Sequence, residues 1–518
     1  MTHLLKASAI LCAVGLLSGS MASAGQPDQA NIHWLAQEIA TARLLDQLNS
    51  RAGPGPLLFH DVSVVDVVNA RAIHHQSVFV RDGTIAWIGE AAAEPQIAAA
   101  TKVEGSGLFL APGLTDMHVH TASMAEQLLR IANGNTTVRE MDGFPWMLEL
   151  RRAVVSGRLL APNMFIAGTI ISEYPLDGYA VVVKGPEEAR AVVRRQAASG
   201  YDFIKVHNVL RQTLFDAVAD EARKAGKDLV GHIPHDITID HAVHTGGMRT
   251  LEHLKGFIND RTLKVSEEDY AKGLAGAEVW LTPTFSALNG LAREANRIQL
   301  LNAPEMKYVP LRRKEEWSKQ GESDPGSRKK LEAAVPAAIE RLKLLHPRWL
   351  AGTDSAHYPL QVAGFAILDE LTLMEEAGIS RAEVLRAATS EAAAAMHKAE
   401  VLGQVKPGML ADLVLLTADP SKTRDAYRTN RGVCLHGRWL GSADISWALG
   451  KLSNILVEPD SSFDMGPAAV SNLIAEVKLL AGAHVALDAM RLHSAVASLR
   501  VIGQAQAAAE LEQVNGNR

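Results

Sequence analysis

Cysteine is almost missing from this chain: its 518 residues include two, Cys12 and Cys434. Once the leader described below is removed, Cys434 stands alone and no internal disulfide can form, so the fold must be held by its core. Aromatic residues are scarce at 5%, and no stretch beyond the leader reaches the roughly 18 unbroken apolar residues of a membrane-spanning helix. Charge of one sign is also lacking. The formal net charge of -6 comes from interspersed acids and bases, which excludes a nucleic-acid stripe or a polybasic membrane surface and leaves a small molecule as the expected partner. What is present is 47% hydrophobic residues and a mean hydropathy of +0.02, the composition of a globular protein with a sizeable core.

Residues 1–24 carry Lys6, an apolar run from Ala7 to Leu17 and a small-x-small ending at Ala24. This order of parts predicts a signal peptide cleaved after Ala24, hence a periplasmic or secreted protein with no transmembrane segment in the mature chain. An N-terminal segment, 25–56, follows. From 57 to 111 the sequence reads as short strands, with Asp82-Gly83 as a hairpin turn. From 112 to 398 brief apolar strands alternate with helical segments, and candidate strands fall at 114–120, 135–139, 163–168, 202–207, 228–232, 249–253, 278–282 and 349–354. Eight in series predict an α/β fold, a (β/α)8 TIM barrel. A charged helical insertion, 287–346, separates the last two. Strands return over 399–441, and since neither β segment buries a core well alone, the two are expected to pair into one composite β-sandwich domain. Residues 442–518 read as a helical C-terminal extension whose apolar content makes a homo-oligomer plausible.

His118 and His120 are two apart on the first strand and so face one side, where they can share an ion. Alone, such a pair more often belongs to ordinary packing. The ends of other strands strengthen it: Lys205 closes "YDFIKVH", His232 "DLVGHIPH", His253 "RTLEHLKG" and Asp354 "RWLAGTDS". A lysine in an apolar strand is costly unless paired or modified, and these groups fall together at the strand ends where such barrels collect their chemistry. Weaker candidates for substrate contact are His207, Tyr174, Tyr179, His235, His357 and Arg139. Glu252, next to His253, is expected to face away from it.

With "LAPGLTDMHVH", "GNTTVREMDG", "SGYDFIKVH", "AGKDLVGHIPH", "GGMRTLEHLKG", "VWLTPTF", "LAGTDS" and "KPGMLADLVLL" in this order, the chain from about 57 to 440 resembles the amidohydrolase superfamily. The likeness is to imidazolonepropionase-like and prolidase-like members with two metals, and it is similar to ochratoxin-hydrolysing amidohydrolases too. The resemblance implies two divalent ions, with zinc the best match to these ligands. His118, His120 and Asp354 would hold one ion and His232 and His253 the other, with Lys205 bridging as a carboxylated lysine. It further implies a metal-bridging hydroxide attacking an amide, with Asp354 as the catalytic general acid and base. The expected substrate is a dipeptide, an N-acyl amino acid or an aryl amide such as ochratoxin. A lactonase or esterase, a one-metal imidazolonepropionase or deaminase, and a periplasmic binding protein on a degenerate barrel are the alternatives.

Overall fold

The computed structural model describes residues 29–95, 100–176, 180–254, 257, 267–287, 297–319, 335–355, 359–457, 471, 474–475, 496 and 505–516. The leader, Tyr179 and His357 lie outside the described residues, as do parts of the 287–346 insertion and most of the C-terminal extension.

Alternating Val, Phe and Ile on the early segment produce β1 (Leu57–Asp66), β2 (Arg71–Arg81) and β3 (Thr84–Glu90), followed by β4 (Thr101–Glu104) and β5 (Phe109–Pro112). Asp82 and Gly83 both take positive φ, as a two-residue hairpin turn requires, and Arg81 pairs with Thr84 across them. After the parallel strands come β16 (Leu413–Leu416), β17 (Asn430–Leu435) and β18 (Arg438–Gly441). β16 runs antiparallel to β5, with Leu415 opposite Leu110. The two β segments therefore share one hydrophobic face, on which Phe59, Val78, Leu110, Leu413 and Cys434 pack together. A continuous ladder joins them into one eight-stranded sheet, order β18-β17-β16-β5-β1-β2-β3 with β4 beside β1. The sheet folds back on itself: Trp439 of β18 packs on Phe59 of β1 with ring centroids 5.3 Å apart, while Ala411 N donates to Gly83 O at 2.9 Å and Ile85 N to Met409 O at 2.8 Å.

Between these lie β6 (Leu114–Val119), β7 (Asn135–Glu140), β8 (Asn163–Ile166), β9 (Ile170–Ser172), β10 (Ala180–Val182), β11 (Phe203–Val206), β12 (Asp228–Gly231), β13 (Met248–Glu252), β14 (Trp280–Thr282) and β15 (Arg348–Trp349). They are all parallel where they pair, in sheets of three (β6-β7-β8) and seven (β10-β9-β11-β12-β13-β14-β15) strands. The arrangement is mixed α/β, as expected, and among the described residues no continuous ladder closes it. Single parallel bridges, Val119 with Ser355 and Ala167 with Phe203, link the sheet edges instead. The eighth strand spans two residues, but Leu350 N still donates to Leu281 O at 2.8 Å and Ala351 O accepts from Met117 N at 2.9 Å before Asp354 takes φ +59.

The pleat sorts these strands into two faces. Ile204, Val206, Leu229, Leu251 and Leu281 turn outward and pack with Phe215, Val218 and Ile367 from flanking helices. Phe203, Val230, Trp280, Leu350 and Met117 meet on the opposite face. Each such side chain, fully buried, stabilises the fold by about 1.5–3 kcal/mol, which gives the polar strand ends a firm base. The helix Gln29–Ala52 packs on the helix Ser442–Val457, which opens the C-terminal extension: Gln37 Nε2 donates to Ile455 O at 3.1 Å and Arg51 pairs with Asp444 at 3.0 Å. No described helix is long and apolar enough to cross a membrane.

Gly231 ends β12 immediately before His232. Its φ is +121°, and a Cβ there would sit 2.3 Å from Val206 O on the neighbouring strand. Gly231→Ala is therefore expected to lower the unfolding free energy by about 1–3 kcal/mol, read from urea denaturation; an unchanged midpoint and slope would show that this close approach does not matter.

Candidate metal centre

The ends of the parallel strands converge on one buried point. One ligating atom each from His118, His253 and Asp354 lies within 4.8 Å of the others, and all three residues are buried. Asp354 Oδ1 is 3.0 Å from His120 Nε2 and 3.5 Å from His118 Nε2. Lys205 Nζ lies 3.2 Å from His118 Nε2, and among the described residues it forms no ion pair. His232 packs its ring against that of His253 at 4.8 Å between centroids. All six residues singled out as ligands thus fall into one cluster, formed from β6, β11 and the chain just beyond β12, β13 and β15.

Electrostatics in this volume are dominated by the loss of water. Burial lowers the Lys205 pKa below the ordinary lysine value, although Asp354, Glu252 and Asp142 oppose the shift. Burial likewise holds His118 and His253 below the ordinary histidine value and so favours neutral rings. For Asp354 burial pushes upward, but His118, His253 and His120 together outweigh it and keep the carboxylate ionised well below its usual range. Neutral imidazoles, a lysine pressed toward its amine and an ionised carboxylate are the protonation states that metal ligation requires.

The orientation of His118 supports the same fit. Its Nδ1 is 2.9 Å from Glu252 Oε2. An ionised carboxylate only accepts, so the ring donates through Nδ1 and its Nε2 lone pair points to Lys205 and Asp354. Burial works to raise the Glu252 pKa, yet Arg139 and the hydrogen bonds from His118 and Thr250 prevail and lower it. Glu252 Oε1 accepts from Arg139 Nη2 at 2.7 Å and from Thr250 Oγ1 at 2.6 Å.

Glu252 is the residue that the sequence reading turned the wrong way. Alternation does put Glu252 and His253 on opposite sides of β13, but Glu252 is the one the pleat points inward, with Thr250. His253 reaches the centre because the strand ends, and φ of +60 at His253 and +54 at Leu254 swing the ring back. The available signal was that Glu252 shares its strand parity with Thr250 while Leu251 takes the other face. Arg139, a weaker candidate for substrate contact, is buried beneath the site, its donors taken by Met117 O at 2.7 Å, Thr250 Oγ1 at 2.8 Å and Glu252.

The other candidates disperse. His207 packs on His232 with ring centroids 4.6 Å apart, beside the cluster. His235 contacts Asn208 at 2.7 Å. Tyr174 is exposed, with Lys184 Nζ 5.3 Å from its ring centroid. One further acid, Glu370, is fully buried; burial pushes it up to about 8 despite the backbone N–H groups of Ser286 and Phe285 that favour its charged form.

The sequence profile described as Amidohydrolase family matches residues 109–440. No curated protein matches the sequence. Among solved structures, a bottromycin amidohydrolase superposes with a TM-score of 0.66 at 22% identity, covering 82% of this chain and 95% of that one. A Xaa-Pro dipeptidase with methionine in its active site gives 0.58 at 22%, covering 75% and 100%. The A. niger ochratoxinase gives 0.55 at 18%, covering 75% and 96%. At these identities the likeness is one of fold.

Two outcomes follow from the buried charges. Glu252→Gln leaves the Arg139 guanidinium without its counter-charge and should cost about 3–5 kcal/mol of unfolding free energy, most of it recovered in the double variant Arg139→Met/Glu252→Gln; simple addition of the two losses in urea unfolding would contradict the pairing. Glu370 binds its proton more tightly folded than unfolded, so its contribution to stability is complete below the ordinary glutamate value of 4.5 and is lost as pH rises toward about 8. Glu370→Gln has no such loss, and its stability relative to the native chain should rise across that window in denaturation series at stepped pH; a constant difference would refute the shift.

Proposed function

The chain belongs to the amidohydrolase family, and on that premise we propose that it is a two-metal hydrolase of amide bonds whose substrate is a dipeptide, an N-acyl amino acid or an aryl amide. Hydrolysis of carbon–nitrogen bonds is its reaction class. The observation that carries the two-metal reading is the buried convergence of His118, His253 and Asp354 around a lysine without an ion pair among the described residues. His118, His120 and Asp354 would hold one ion, and His232 and His253 the second. Lys205 would bridge them as a carbamate: the amine lone pair forms a bond to the carbon of CO2, one N–H proton leaves, and the side chain becomes an anion with two ligating oxygens. In this reading the bridges at Val119–Ser355 and Ala167–Phe203 close the parallel strands into a (β/α)8 barrel, and zinc is the metal these imidazole and carboxylate donors suit best.

When bound, divalent ions supply Lewis-acid polarisation of the scissile carbonyl and make water acidic enough to act near neutral pH. The chain's own residues do the rest. Asp354, ionised and held by His120, accepts the proton of the attacking water at a carboxylate oxygen and returns it to the departing nitrogen. Glu252, anchored by Arg139, keeps His118 in a fixed orientation. Burial keeps bulk water from competing for the same positions. The substrate classes are those that the names of structural neighbours suggest, a Xaa-Pro dipeptidase and an ochratoxinase. A protein with the leader sequence of residues 1–24 would meet such substrates outside the cytoplasm.

The test is amine release from a panel of Xaa-Pro dipeptides, N-acyl amino acids and aryl amides, with chelated protein and with zinc restored. Hydrolysis of at least one class that disappears on chelation and returns with zinc is expected, together with two ions per chain by elemental analysis. One ion per chain, with Lys205→Ala still active, would falsify the two-metal arrangement.

A further inference from the structure

The segment Thr282-Pro283-Thr284-Phe285-Ser286 follows β14 and enters none of the steps above. Thr284 is buried, and its backbone is left-handed at φ +51. A β-branched residue takes that conformation only where its surroundings impose it. Glu370, buried on the helix Phe365–Glu376, imposes it from the next element: one carboxyl oxygen accepts from Phe285 N at 3.0 Å and the other from Ser286 N at 2.6 Å. Ser286 Oγ donates to Thr353 O at 3.0 Å, fastening the same turn to the neighbour of Asp354.

The hydroxyl so placed has one proton, and it goes to Pro283 O at 2.8 Å. Toward His253 Nδ1, also at 2.8 Å, Thr284 Oγ1 can then only accept. His253 is thereby fixed with its proton on Nδ1 and its lone pair on Nε2. The rival acceptor for that proton is Asp354 Oδ2, 3.6 Å from the same nitrogen. A ring that turned to it would occupy the carboxylate needed elsewhere and lose the direction of its own lone pair. We propose that Thr284 is a positioning residue for His253, setting which ring nitrogen faces the metal and keeping the ring off Asp354, and that Glu370 holds the turn that presents it. This rests on the metal-dependent reading of the site.

The experiment titrates the purified, chelator-stripped chain with Zn2+ against a chromophoric competitor, for the native protein and for Thr284→Val, Thr284→Ser and Glu370→Gln, with metal-free thermal unfolding recorded for each. Thr284→Val should bind one of its ions about 10- to 100-fold more weakly. Thr284→Ser, which keeps the acceptor, should bind as the native chain does, and Glu370→Gln should weaken binding by less than Thr284→Val. Native-like zinc affinity in Thr284→Val, with or without a lowered melting temperature, overturns the proposal. Equal loss in the Ser and Val variants also overturns it, because packing and not the hydroxyl would then be responsible. Should Thr284→Val not fold, Glu370→Gln decides: weakened zinc binding in a folded protein supports the proposal, and native affinity removes it. A native chain that binds no zinc defeats the metal-dependent reading itself, an outcome distinct from native-like binding in the variants.

Discussion

Asp354 carries a negative charge into a volume with almost no water, and the arrangement around it follows from keeping that charge there. Burial alone would protonate it; the fields of His118, His253 and His120 reverse this. Those rings are themselves desolvated, so His118 and His253 are pressed toward the neutral form and need acceptors for the proton that remains on each. Glu252 is the acceptor for His118, and its own buried charge is balanced by Arg139, whose other donors end on Thr250 and Met117 O. Each group is tolerable only because of the next. Replacing one leaves an unpaired buried charge or donor, which costs more than the pair contributes when intact.

Much of this was legible in the sequence because polar groups in an apolar strand are expensive and therefore conspicuous. His118, Lys205, His232, His253 and Asp354 each stand out against the Val, Ile and Leu that precede them, and their strands appear within a residue or two of the expected positions for β6, β11, β12 and β13. The pairing of the two β segments was equally readable, since neither could bury a face by itself. The division of the parallel strands into sheets of three and seven was not, because the links between their edges are single bridges at Val119–Ser355 and Ala167–Phe203. Glu252 was misread for a different reason. Alternation gives the relation between two neighbours but not which of them faces the centre, and that was decided by φ at His253 and Leu254. Glu370 lies 85 residues from Phe285 in the chain, so no local pattern could join them.

The left-handed residues explain how so many candidate ligands fit. Within a pleated strand only every second residue faces a given side, which caps what one strand can offer. His253, Leu254, Thr284 and Asp354 all take positive φ just past the ends of their strands. By leaving the pleat there, the chain points Glu252 and His253, adjacent in sequence, at the same centre, one beneath it and one into it. Each such residue stores strain of about 1–3 kcal/mol, and the outward packing of Leu251 and Leu281 on the same strands offsets it.

The geometry of the candidate ligands is thus a property of strand ends fixed by the core. Exposed Tyr174 stands on a loop beyond β9, away from this cluster. On the metal-dependent reading, Asp354, Lys205 and the histidines owe their convergence to the packing of the strands that carry them, and not to the loops beyond.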